Sequence, residues 1–194
     1  MSQDTDSFLM DLVLVVVDMQ PTMLAKVDPD RSLLRRTCFA VKCANLMGVK
    51  VVFSEQVPDK LGPTASELLE AADSGDRSSA DSVFAKTHFS ALSVPRFNSI
   101  LQDRGKQHIL LAGIETPICI YQTAVEAINR DYQVTLLTDC IGGRRAPDCD
   151  WALRSLAQSG AIALPSETIF YSIIRSAEHP AFRQFNTLVK TFSA

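Results

Sequence analysis

The stretch AGIETPICIYQTAVEAINRD, residues 112–131, follows an apolar run, HILL, and reads as a strand passing into a helix. Thr116 has the chemistry of an N-cap, Pro117 suits the first helical position, and Cys119 then falls in the first turn. Unpaired amides and the positive end of the helix dipole gather there. Both favour a thiolate, which is the nucleophilic form. Cys119 is therefore the candidate reactive cysteine, and its thiol is expected to titrate below a free cysteine. Other strand ends carry polar groups: Asp18 closes LVLVVVD, Glu55 closes VKVVFSE and Lys86 closes DSVFAK. In an open parallel sheet, chemistry collects at the carboxyl ends of the strands. Each residue alone has an ordinary explanation, since Asp caps turns, Lys sits on surfaces and most free cysteines are buried and inert. A carboxylate, an ammonium and a thiol at three such ends form a much more specific constellation.

The elements that must carry these groups alternate between strand and helix. LVLVVVD (12–18) is a continuous β-branched run, the pattern of a strand buried on both faces. Helical spacing runs from Ser32 to Met47 and stops at Gly48, and strand two is VKVVFSE (49–55). A short helix over 62–72, a polar loop over 74–82 and a third strand over 81–86 follow. Ser99–Arg104 reads as a helix end, 107–112 as strand four and 132–139 as strand five. A helix over 148–159, a short strand over 161–164 and a closing helix over 179–192 complete the chain. In the helix after Cys119, Ile118, Tyr121, Val125, Ile128 and Tyr132 share one face. Cys119 lies about 100° from it, the step per residue at 3.6 residues per turn, so its sulfur is expected beside the core stripe. Alternating units without hairpin signals predict an α/β fold, a three-layer α/β/α doubly wound parallel sheet. Residues 1–194 read as one domain with a short flexible N-terminus over 1–10.

Bulk properties exclude several function classes. Of 194 residues 46% are hydrophobic and 21% charged, an ordinary globular balance, and the formal net charge of −3 gives nucleic acid no electrostatic footprint. The five cysteines (38, 43, 119, 140, 149) are odd in number and lack CxxC spacing, against both a disulfide framework and a structural zinc site. No run reaches transmembrane length, and MSQDTDSFLMD lacks a basic, apolar leader, so a cytoplasmic setting without membrane partners is expected. A dinucleotide-binding oxidoreductase is disfavoured, because DMQPTM rather than a glycine-rich turn follows strand one.

The sequence resembles the isochorismatase-like cysteine hydrolases. VVVDMQ with Asp18, VFAKTHFSAL with Lys86 and GIETPICIYQTA with Cys119 carry the resemblance, and Glu55-Gln56 followed by KLGPT is similar to the YcaC-type and isochorismatase-domain-containing subgroup. The resemblance implies a Rossmann-like, parallel six-stranded sheet of order 3-2-1-4-5-6. It also implies cofactor-free and metal-free hydrolysis of a small amide or carbamoyl-type molecule through a covalent thioester-type intermediate. In family terms Cys119 attacks the carbonyl, Asp18 is general base and then proton donor, and Lys86 holds the local charge. Lys86 must then reach across from a strand that is not beside strand four. A cis peptide at Ile114–Glu115 is implied too, with the amides of Glu115 and Cys119 facing an oxyanion. Gln20, Glu55, Gln56, His88 and Phe89 are the candidate pocket residues. The related nicotinamidases hold a metal through histidines after strand two; SEQVPDKLGPT has none, and the chain's histidines are His88, His108 and His179. Classical isochorismatases lack the cysteine, so Cys119 points away from a vinyl ether substrate. Arg144 and Arg145 read as a surface pair before they read as a carboxylate clamp. The resemblance further implies a closed homo-oligomer, a dimer, tetramer or octamer. The alternative to an enzyme is a catalytically silent binding or scaffold protein of the same fold.

Overall fold

The computed structural model describes residues 12–73, 82–103 and 108–192. The expected flexible N-terminus and most of the polar loop 74–82 lie outside them. In chain order the elements are β1 Leu12–Val17, α1 Pro21–Val27, α2 Ser32–Leu46, β2 Lys50–Gln56, α3 Pro58–Leu61, α4 Ser66–Ala72, β3 Val83–Lys86, α5 Pro95–Asp103 and β4 His108–Ile114. A π-helical turn Thr116–Ile120 then leads into α6 Tyr121–Asn129, followed by β5 Gln133–Gly142, α7 Ala146–Gln158, β6 Ile162–Leu164, α8 Ser166–Ile174 and α9 Phe182–Phe192. The strands form one sheet in the order β3-β2-β1-β4-β5-β6, and every pairing is parallel. Helices flank it as in other α/β folds of this kind.

Strand one shows why the apolar run needed both faces covered. Leu12, Leu14 and Val16 join one apolar cluster, while Val13, Val15 and Val17 join the other. None of the six is more than 1% exposed, so the pleat's alternation feeds two cores from one continuous β-branched stretch. The first cluster adds Phe39, Phe170 and Phe185 from helices on its side; the second adds Phe97, Ile120 and Leu156.

Several elements depart from the sequence expectation. Helices α1 and α8 are unanticipated. SETIFYSII is rich in β-branched and aromatic residues, which favours strand, yet Phe170, Ile173 and Ile174 share a face and bury it in the core. Burial of that face outweighs a weak local preference. On α6 the most buried positions are Thr123, Ala124 and Ala127, reached from Ile120, while Tyr121, Val125 and Ile128 pack at its flank. Small residues let the helix lie close on the sheet, so the larger apolar face turns aside. Cys119 consequently lies in the core cluster at 4% exposure, not beside it.

Where β4 passes the end of β1, Gly113 has φ +115°, and a Cβ there would stand 2.1 Å from the Val17 carbonyl oxygen. Only glycine permits that approach. It brings the turn carrying Cys119 down beside Asp18.

Candidate active site

Asp18 directly follows β1 in a left-handed conformation, φ 54°, and its amide donates to the Ser54 carbonyl at 3.0 Å. Aspartate tolerates that conformation better than most residues. The turn drives its side chain inward, where it is fully buried. Oδ1 accepts from the Ser54 hydroxyl at 2.7 Å and Oδ2 accepts from Lys86 Nζ at 2.7 Å. Lys86 closes the edge strand β3 directly opposite Gln56 of β2. Its four-carbon stem crosses β2 to reach β1, which is how a residue two strands away, about 10 Å at the usual strand spacing, meets Asp18. Nζ also donates to Gln56 Oε1 at 2.6 Å and to the His88 carbonyl at 3.3 Å. Three acceptors match the three donors of an ammonium, with none left over.

Cys119 enters from β4. The Ile114–Glu115 peptide is cis, and the Glu115 carbonyl accepts from the amides of Ile118 (3.0 Å) and Ile120 (3.2 Å). Glu115, not Thr116, occupies the cap position, and no side chain caps the turn. Thr116 is buried and its hydroxyl caps no amide of this turn, which winds as a π-helix. The Cys119 thiol interacts with both the Asp18 carboxylate and the Lys86 ammonium.

These neighbours invert the expected titration. Burial pushes the Cys119 thiol up, Asp18 adds to the rise, and Lys86 offsets only part of it, leaving the value at about 12. The helix start does not overcome desolvation and a neighbouring anion. Burial likewise raises Asp18 above the usual carboxylate value, against the lowering effects of Lys86, Ser54 and Cys119. At rest the site is a protonated thiol facing a carboxylate–ammonium pair, with the carboxylate made more basic by its surroundings.

The remaining candidate residues divide into braces and rim. Gln20 is fully buried; its Nε2 donates to the Gln56 carbonyl at 3.1 Å and its Oε1 accepts from the Gln56 amide at 2.8 Å. Glu55 accepts from the Thr64 amide and hydroxyl at 2.6 and 2.8 Å, fastening the GPT loop. Gln56 holds Lys86 through Oε1 and the Thr87 carbonyl through Nε2, 2.9 Å. The His88 side chain is exposed and only its carbonyl joins the site, while Phe89 is 50% exposed. Arg144 donates through its amide and Nε to Glu115 Oε2, 3.0 Å each, tying the loop after β5 to the turn of Cys119. Arg145 pairs at the surface with Asp148 at 3.3 Å. Ser54 was not legible as a site residue; its only trace is a small polar residue inside VVFSEQ, two positions before Gln56. Among the described residues no three His, Cys, Asp or Glu side chains gather as metal ligands. A cavity of about 570 Å³ between α1 and α4, bordered by Leu24, Leu34 and the Arg31–Glu67 pair, does not reach the three residues.

The profile of the isochorismatase domain matches residues 13–168. The chain is 36% identical to isochorismatase domain-containing protein 2A of Mus musculus over 151 residues, covering 77% of this chain and 68% of that protein. It is 34% identical to isochorismatase domain-containing protein 1 of Danio rerio over 76% of this chain, and spans about half (50%) of that relative's length. Among solved structures, MAR1 ribonuclease from Caenorhabditis elegans superimposes with a TM-score of 0.85 at 24% identity, covering 93% of this chain and 90% of that one. YcaC from Escherichia coli, described as an octameric hydrolase of unknown specificity, superimposes with a TM-score of 0.79 at 18% identity, covering 95% of each chain.

Proposed function

The chain belongs to the isochorismatase domain family, and from that premise we propose that it is a metal-independent cysteine hydrolase of a small amide or carbamoyl-type molecule. The observation that carries this reading is the buried Asp18–Lys86 pair at 2.7 Å against the Cys119 thiol. As Cys119 Sγ attacks the substrate carbonyl, its proton passes to Asp18 Oδ, so no free thiolate has to exist beforehand. The raised basicity of Asp18 suits that transfer. Negative charge developing on the carbonyl oxygen would meet the amides of Glu115 and Cys119 at the cis turn. Collapse breaks the C–N bond, Asp18 returns the proton to the departing amine, and an acyl thioester remains on Cys119. Water, losing a proton to Asp18, then attacks the thioester; the carboxylic product leaves and the thiol regains its proton. Lys86 keeps Asp18 ionised between these steps.

Assembly into a closed homo-oligomer and a cytoplasmic, single-domain working form belong to the same reading; YcaC is described as octameric. The MAR1 name raises RNA as a competing substrate, but that likeness is one of fold, and a net charge of −3 is not the basic balance typical of a nucleic-acid binder. A panel of small primary amides and carbamoyl compounds, read by ammonia release beside an RNA cleavage assay, tests the reading. Ammonia release that vanishes in Cys119→Ala, with an acyl adduct on the parent protein by intact mass, is expected. RNA cleavage that survives Cys119→Ala, with no amide turned over, overturns it.

A further inference from the structure

Lys86 stands on an edge strand and must project its charge across β2 into a buried site, and the residue it crosses is Gln56. Amide orientation at Gln56 is settled by its neighbours. Lys86 can only donate, so Oε1 faces Nζ at 2.6 Å; the Thr87 carbonyl can only accept, so Nε2 faces it at 2.9 Å. The backbone of Gln56 is gripped in turn by Gln20, which accepts from its amide and donates to its carbonyl. Both glutamines are buried, at 0% and 9% exposure. A continuous chain of hydrogen bonds thus runs from Gln20 through Gln56 to Lys86 and on to Asp18, which adjoins Cys119. We propose that Gln56, bracketed by Gln20, is the positioning residue that holds the Lys86 ammonium against Asp18 and Cys119.

The physical reason is the ammonium's need for acceptors. Buried at 4% exposure, Lys86 satisfies its three donors with Asp18, Gln56 and the His88 carbonyl, and the last of these is the longest at 3.3 Å. Without Gln56 one donor points into a site with no other acceptor among its partners, which disfavours the charged form and frees the stem to swing off Asp18. The cation that eases proton loss from Cys119 is then weakened, because Lys86 lowers that thiol against burial and Asp18. Gln56 thereby acts through Lys86 and touches neither thiol nor substrate.

This inference rests on the proposed Asp18–Lys86–Cys119 site, and alkylation by iodoacetamide separates the two without any substrate. The rate at Cys119 is read by peptide mass spectrometry and normalised to Cys149, a half-buried thiol beside the Glu115–Thr116 turn that takes no part in the Gln20–Gln56–Lys86–Asp18 chain. In Gln56→Met, which keeps length and removes the acceptor, Cys119 is expected to react about tenfold more slowly, the usual share of one bond to a buried charge. Gln56→Asn, an amide one methylene short of Lys86, is expected to behave the same way. A merely structural role predicts the opposite, since a loosened fold admits reagent and speeds Cys119 together with the buried Cys43 and Cys140. If Lys86→Met slows Cys119 while both Gln56 variants leave it unchanged or faster, the positioning role is overturned. If Lys86→Met itself has no effect, the three-residue site is what fails.

Discussion

Burial and Asp18 hold the Cys119 thiol in its protonated form near neutral pH, so the proposed mechanism rests on the neighbour that takes that proton during attack. Asp18→Asn keeps the shape and loses the acceptor; turnover is expected to fall roughly 10²–10⁴-fold, the share of general base catalysis, and the melting temperature falls as well, because the buried Lys86 ammonium loses its counter-charge. Combined with Cys119→Ala it should cost little beyond the single change, because the two act as one unit. Steady-state kinetics on the substrate found by the amide panel checks both. The pH dependence follows from the direction of the Asp18 shift. A base works only when ionised, and the raised value places the acid limb of kcat/KM above that of a free carboxylate. The Ser54 hydroxyl lowers Asp18, so Ser54→Ala should move that limb to still higher pH. A limb that stays in place would assign the acid-side titration to another group.

Elements are fastened to one another around the site by a few polar ties. Asp139 of β5 accepts from the Ser166 amide and hydroxyl of α8, 2.7 Å each, and from Arg36 of α2 at 2.9 Å. Burial would raise its carboxyl, but these bonds outweigh it and hold the value below normal. A lowered folded value means stability that is present above the unfolded value and lost as pH falls through the folded one. Asp139→Ala should therefore destabilise the protein by about 1–3 kcal/mol at neutral pH, with the difference from the parent shrinking in acid; urea melts at two pH values measure it. Gly113→Ala belongs to the same scale. Its added methyl would meet the Val17 carbonyl in a backbone conformation closed to alanine, and a loss of about 3 kcal/mol or more, or failure to fold, is expected.

Over the whole molecule, large apolar side chains remain open to solvent: Phe89 at 50%, Trp151 at 69%, Ile162 at 47% and Tyr171 at 41%. Under the proposed closed oligomer, side chains such as these are the ones expected to be covered by further copies of the chain. Sedimentation at micromolar concentration is expected to give a multiple of 21.3 kDa; a monomer at every concentration would remove the oligomer from the proposed function. No helix among the described residues is long and apolar enough to cross a membrane.

The sheet and the polar residues at its strand ends were readable in one dimension because their determinants are local. A β-branched run such as LVLVVV announces a strand buried on both faces, and alternation with helical spacing announces parallel pairing. The polar residues closing those runs, Asp18 and Lys86, stand out against the apolar background for the same reason, as does Cys119 after Thr116-Pro117. Helices α1 and α8 were not readable, since both are settled by what they pack against. Nor was the chemistry of the individual groups. The thiol's titration depends on how deeply Cys119 is buried and how near Asp18 stands, and no spacing encodes either. Ser54 and Gln56 become partners of Asp18 and Lys86 only when β2 is laid between β1 and β3. Tertiary structure decides these because desolvation and hydrogen bonding act through space, across 36 residues between Asp18 and Ser54 and 68 between Asp18 and Lys86, where sequence order carries no distance.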